Sequence, residues 1–187
     1  MRQNKSHHEY KKLPQLYQNG AVFCAIDTET TGINSNKDRI IEIGAILFDK
    51  NGIKNCFNEL INPNCPIPLA ASAVNHITDK MVVHCPYIDQ ILPKFIDFAK
   101  DSILVAHNAC FDLKFINSEL ERCNLASLKN KTADTLQLSK KIFPEIKSHK
   151  LQSLADFFEI EVKQAHRAFD DARVCMEIFL RCINDIH

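Results

Sequence analysis

No stretch of this sequence stays apolar for the roughly 20 residues that a membrane-spanning helix needs, and no apolar h-region follows its start. A membrane-spanning helix is thereby excluded, and a cytoplasmic location is the expectation. An excess of one charge sign is also missing, since 23 basic residues balance 23 acidic ones. Proteins that coat long nucleic acid carry a basic excess, so any nucleic-acid contact here is expected to be local and short. No C-x-x-C pair occurs among Cys24, Cys56, Cys65, Cys85, Cys110, Cys123, Cys175 and Cys182. Most lie in apolar runs, which argues against structural zinc or a disulfide framework and for small buried hydrophobes. Internal repeats and low-complexity tracts are absent as well.

What is present suits one globular domain: 187 residues, 45% hydrophobic and 25% charged, a size that buries roughly 70% of the unfolded surface. Residues 1–20 are polar and lack periodicity, with His7, His8, Lys11 and Lys12 among them. They are expected to form a loosely docked arm, the domain proper running over 21–187. Residues 21–26 read as a short buried strand that runs on into Asp27-Thr28-Glu29. Residues 39–48 make a second strand. Asn51-Gly52 then supplies the positive φ of a type I′ hairpin turn into a third strand, which ends near Ile61. Tight connections make the three an antiparallel meander. Residues 102–106 read as a buried strand between helices, adding in parallel, and 131–134 as a last short one. Helices are expected over 70–76, 88–100, 111–123, 136–142, 151–158 and 168–186.

Three groups of residues carry chemistry. Strand side chains alternate, so Asp27 and Glu29 share a face, roughly 7 Å apart along the backbone. Side by side they raise each other's pKa, and a divalent cation between them reverses that cost. A strand that simply surfaces into solvated acids would look the same. In the second group, His107-Asn108-Ala109-Cys110-Phe111-Asp112, the carboxylate enters the first turn of a helix, where it complements the dipole. Ligands bind at strand ends in α/β sheets, so Asp112 joins Asp27 and Glu29 if the two strands are neighbours. The third group is His166-Arg167-Ala168-Phe169-Asp170-Asp171. On a helical wheel Asp171 falls about 60° from the apolar stripe and Asp170 about 160° from it. Asp170 is therefore expected on the solvent face, paired with Arg173, and Asp171 on the flank of a buried surface. His166 either caps this helix or serves the site.

The ordered set D-x-E, H-N-x-x-F-D and H-x-x-x-x-D resembles the DEDDh family of 3′–5′ exonucleases. Blocks such as FCAIDTETTG, LVAHNACFDLKFINSEL and HRAFDDARVCMEIF are similar to the exonuclease domain of DNA polymerase III epsilon subunits. The likeness extends over roughly residues 21 to 182. It implies a ribonuclease H-like α/β fold, a five-stranded mixed sheet flanked by helices. It implies two Mg²⁺ or Mn²⁺ ions on Asp27, Glu29, Asp112 and Asp171, Asp27 bridging them, with His166 as general base. Oxygen-only ligands suit those ions better than zinc. Thr30, Thr31, His107, Asn108 and Phe111 are implied near the terminal nucleotide, although Phe111 equally suits core packing. Asn75 and His76 stand where relatives carry histidine and glycine, so no substrate contact is carried over to them. The implied reaction releases 5′-mononucleotides from a single-stranded 3′ end of DNA in proofreading or repair. The polymerase III alpha subunit is a candidate partner, and no membrane is involved. The same chemistry on RNA 3′ ends is an alternative. An inactive nucleic-acid-binding module is another, and five intact acid and histidine positions argue against it. Lysines 129, 131, 140, 141, 147 and 150 are candidate phosphate contacts or plain solvated surface.

Overall fold

The computed structural model describes residues 10–186, so His7 and His8 lie outside the described residues. Five strands form one mixed sheet in the order β3-β2-β1-β4-β5: β1 (Phe23–Thr30), β2 (Ile40–Asp49), β3 (Gly52–Leu60), β4 (Ile103–Ala106) and β5 (Thr132–Asp134). The first three are the expected antiparallel meander, and β4 adds in parallel to β1, with β5 parallel to β4. A parallel neighbour needs a crossover. Here the chain supplies it with α2 (Leu69–Asn75), α3 (Asp79–Val82) and α4 (Ile88–Ala99). Beyond β4 come α5 (Cys110–Arg122), α6 (Thr135–Ile142), α7 (Leu151–Phe157) and α8 (Ala168–Asn184). This is the ribonuclease H-like architecture that the resemblance implies.

The central strand β1 is buried on both faces, and its period of two sorts the core. Phe23 and Ala25 pack with Val174, Cys175, Ile178, Phe179 and Cys182 of α8. Cys24 and Ile26 pack on the other side with Ile91 and Phe95 of α4 and Phe115, Ile116 and Leu120 of α5. Asp27 and Glu29 continue the α8-facing series, which decides which helix can reach them.

Several local expectations are corrected. The hairpin turns through Lys50-Asn51, with Asp49 paired to Gly52, and of these only Gly52 takes a positive φ, 112°. Asp49 Oδ1 accepts the Asn51 N–H at 2.8 Å, and this side-chain turn replaces the type I′ geometry. The N-terminal segment is helical from a 3₁₀ turn at Tyr10–Lys12 into α1 (Leu13–Gln18). Leu13 is buried against the α8-side core and Tyr10, Leu16 and Tyr17 pack beside it, so residues 10–18 are docked rather than loose. A polar composition hid four apolar anchors. Among the cysteines only Cys24, Cys175 and Cys182 are buried, whereas Cys56, Cys65 and Cys110 are exposed; all eight are free thiols. Among the described residues no helix is long and apolar enough to cross a membrane.

Candidate active site

The period of two carries the chain from Phe23 and Ala25 to Asp27 and Glu29 on one face of β1. The stripe of α8 lies across that face, and Asp171, one turn into the helix, sits on its edge. One carboxylate oxygen from each of Asp27, Glu29 and Asp171 lies within 4.8 Å of the other two. Asp112 arrives from the end of the parallel neighbour β4, in the first turn of α5. Its Oδ1 accepts from Thr28 N at 3.0 Å and from Thr28 Oγ1 at 2.8 Å. Four carboxylates separated by up to 144 positions in sequence therefore meet at one end of two adjacent strands.

Glycine permits this approach. Gly44 of β2 pairs directly with Asp27. A Cβ placed there would lie 2.2 Å from the Ala168 carbonyl carbon and 2.3 Å from Phe169 N. Only a residue without a side chain lets the start of α8 come down on the sheet at this point. Two residue pairs further, Glu42 lies opposite Glu29 on β2 and is 1% exposed. It accepts from Arg167 Nη2 at 2.7 Å and Nε at 3.1 Å, and from Ala168 N at 3.0 Å. Glu42 thus caps α8 from a different element, and the bidentate pair fixes Arg167 beside His166.

His166 has φ 59°, a left-handed conformation that costs a non-glycine residue about 1–2 kcal/mol. Its backbone N–H donates to Asp171 Oδ2 at 3.1 Å while Gln152 Nε2 donates to Oδ1 at 3.1 Å, so Asp171 is held from both sides. The His166 side chain is exposed beside the carboxylates.

The other expected contacts divide by role. Thr30 Oγ1 donates to the Gly32 carbonyl and Thr31 Oγ1 accepts the Arg39 N–H, so both hydroxyls shape the loop after β1. His107 Nδ1 lies 2.9 Å from Thr135 Oγ1, and Asn108, at φ 66°, donates its backbone N–H to Asp134 Oδ1. These two organise the end of β4. Phe111 is half-buried: its ring centroid lies 4.9 Å from that of Phe115, and it lines a cavity of about 240 Å³ with Ile33 and Asn108. It therefore packs against the core and borders that cavity at once. Asn75 is buried; its amide donates to the Thr30 carbonyl at 3.3 Å and hydrogen-bonds Glu29. His76 beside it is the left-handed cap of α2.

The solvent-face assignment of Asp170 is wrong. Asp170 is 7% exposed. Its Oδ2 accepts the N–H groups of Lys163 and Gln164, each at 2.7 Å, and its Oδ1 accepts Arg173 Nε at 2.8 Å. The wheel sees only the helix's own neighbours, and the loop over 161–167 folds back onto the face it left open. Burial pushes the Asp170 carboxyl up, but the two loop N–H groups and the Arg173 guanidinium together hold it below the usual range.

The site carboxylates shift the other way. Burial and then the charges of Asp112, Asp171, Glu29 and Glu42 raise Asp27 well above its ordinary value. Burial and the neighbouring Asp171 and Glu42 push Glu29 up to about 8. Burial takes Asp112 to about 7 against the hydrogen bonds from Thr28, and burial also raises Asp171. Clustered, desolvated oxygen donors that resist ionising together are a donor set suited to divalent cations, which remove the repulsion.

This predicts a pH dependence. In EDTA the folded state keeps site protons that the unfolded chain has released above about pH 4, so stability falls as pH rises from 5 toward 8.5. His107, lowered by burial, acts oppositely below about pH 6.5, as one group against four. Melting temperature in EDTA should therefore drop across this range, and Mn²⁺ should restore more stability at pH 8.5 than at pH 5. A melting temperature that climbs with pH in EDTA would contradict the clustering.

The chain is similar to known exonucleases and polymerase subunits. The RNase T family model, described as exonuclease, matches residues 24–179. The DNA polymerase III subunit epsilon of Treponema pallidum is 48% identical over 164 residues, covering 87% of this chain and 76% of that protein. A PolC-type DNA polymerase III of Caldanaerobacter subterraneus subsp. tengcongensis is 40% identical over 164 residues, but those are only 12% of its length. Among solved structures, exonuclease X in complex with 5′-overhanging duplex DNA superposes with TM-score 0.70 at 26% identity, over 87% of this chain and 91% of that one. Escherichia coli exonuclease I with a dT13 oligonucleotide shares the fold, with TM-score 0.76 at 18% identity over 87% of this chain and 40% of that one.

Proposed function

Because this chain belongs to the RNase T exonuclease family, we propose that it hydrolyses the terminal phosphodiester at a single-stranded DNA 3′ end and releases a nucleoside 5′-monophosphate. The observation that carries this reading is the convergence of Asp27, Glu29 and Asp171 within 4.8 Å beside His166. Asp27, Glu29, Asp112 and Asp171 would hold two Mg²⁺ or Mn²⁺ ions, which supply charge stabilisation for the attacking water and the leaving 3′ oxygen. The residues do the rest. His166, held next to Asp171 by its backbone, takes the proton of the attacking water. The Glu42–Arg167 pair keeps that histidine in its left-handed conformation. Thr28 aims Asp112, and Gln152 with the His166 N–H aims Asp171, so the ligand oxygens are fixed before substrate arrives.

DNA as substrate rests on the names of the relatives, a DNA polymerase III subunit and a DNA-bound exonuclease. They also support proofreading beside a polymerase subunit as the setting, in the cytoplasm. The test uses purified protein with 5′-labelled single-stranded DNA, mismatched duplex and RNA. One-nucleotide shortening from the 3′ end is expected, lost in EDTA and restored by Mn²⁺ or Mg²⁺. Shortening from the 5′ end, or activity that persists in chelator, rules the mechanism out, and a preference for RNA reassigns the substrate.

A further inference from the structure

The two flanks of the carboxylate site differ in chemistry. On one side Asn75 ties α2 to Thr30 and Glu29, and that side offers apolar surface: Leu69 is 89% exposed, and Ile33, in the loop after β1, is 90% exposed. On the other side, Gln152 ties α7 to Asp171. There a cavity of about 470 Å³ is lined by His107, Asn108, Lys140, His149, Lys150 and Leu151. Its lining adjoins the site along the chain in two places, since Asn108 lies four residues before Asp112 and Leu151 directly precedes Gln152, whose amide holds Asp171.

The walls of this cavity are held in place. His149 Nδ1 lies 3.0 Å from the buried Ser139 Oγ, and Ser148 Oγ donates to Ser153 Oγ at 2.9 Å. His107, anchored on Thr135, also makes a hydrogen bond to the His149 backbone, which ties the loop before α7 to the end of β4. Lys140 and Lys150 are exposed, and among the described residues neither has an ion-pair partner that would have to be given up to a phosphate. Among the described residues no carboxylate lines the cavity. In a chain of zero net charge, two unpaired ammonium groups on a braced wall next to a nuclease site are a local feature, of the kind that a single phosphate group satisfies.

We propose that this cavity seats the phosphodiester next inward from the scissile one, held by the ammonium groups of Lys140 and Lys150. The strand then leaves the metal-binding carboxylates along the α6–α7 side. This inference rests on the exonuclease reading above, and it adds the path of the strand.

Two substrates separate the two ideas. Thymidine 5′-(p-nitrophenyl phosphate) contains a scissile phosphodiester and no inner phosphate, whereas a single-stranded oligothymidylate contains both. With Mn²⁺, the Lys140→Ala/Lys150→Ala double variant should lower the ratio of oligonucleotide kcat/KM to ester kcat/KM by about ten-fold or more. The salt dependence of oligonucleotide turnover should also flatten, by about 0.7 in log–log slope for each phosphate that is no longer neutralised. Lys141→Ala, whose ammonium lies instead over the Tyr10 ring at 4.7 Å, should leave the ratio in place. A double variant with the parent's ratio and salt slope overturns the phosphate seat while the exonuclease reading stands. A parent protein that hydrolyses neither substrate overturns the exonuclease reading and this inference with it.

Discussion

Asp171→Asn is expected to lower the exonuclease rate by orders of magnitude without weakening the metal-free fold, whereas Asp170→Asn should do the reverse. Both residues are buried and adjacent, yet their surroundings oppose each other. Asp171 lies among like charges, within 4.8 Å of Asp27 and Glu29 oxygens. Its replacement relieves repulsion, so melting temperature in EDTA should hold or rise. The stabilisation that Mn²⁺ adds should shrink, because a charged ligand has been removed. Asp170 lies among donors: two loop N–H groups and the Arg173 guanidinium, which also donates to the Glu161 carbonyl. Neutralising it costs about 1–3 kcal/mol, and a domain of this size loses about 2–4 °C of melting temperature per kcal/mol. Activity below the new melting range should persist, because Asp170 holds the 161–164 loop and not a cation. Rate and melting temperature of both variants, with and without Mn²⁺, decide the matter. Equal loss of rate in the two variants would mean that the loop and the metal cluster act as one unit and that Asp170 belongs to the site.

His166→Ala should reduce the rate by about 10²- to 10⁴-fold at saturating metal. The parent rate should rise with pH through a single ionisation, and the variant should lose that limb. Folding should be nearly indifferent, because alanine keeps the Cβ and the contacts that place this residue are made by its neighbours and backbone. Glu42 holds Arg167 and the Ala168 N–H, and the His166 N–H still reaches Asp171. Mn²⁺ should stabilise the variant as it does the parent. A variant with near-parent rate and an unchanged pH profile would reduce His166 to a structural turn residue.

By itself the sequence determined the five strands and the helices α2 and α4 to α8, to within about two residues at most boundaries, because apolar periodicity and turn residues act locally; α1 and the single turn α3 it did not show. The resemblance carried by the order D-x-E, H-N-x-x-F-D, H-x-x-x-x-D also pointed to the carboxylates that the fold brings together. Even a geometric clue was legible: the 3.6-residue period placed Asp171 on the edge of a buried stripe. Tertiary structure decided everything that depends on what is laid across an element from outside. The same wheel left Asp170 in solvent, because no helical period contains the loop that folds back on it. Glu42 in RIIEIGAI was an acid within an apolar strand, a visible anomaly, but its partner Arg167 lies 125 residues away. Gly44 gave no signal as a residue, since its meaning is the distance between β2 and the start of α8. Leu13 and Tyr10 sat in a segment too polar to suggest a docked helix, and their burial became apparent only once the end of the sheet was in place to receive them. Periodicity and motif order follow from local sterics and side-chain chemistry. Burial, pKa and the unpaired lysines beside the site follow from how distant segments share space, which no local pattern encodes.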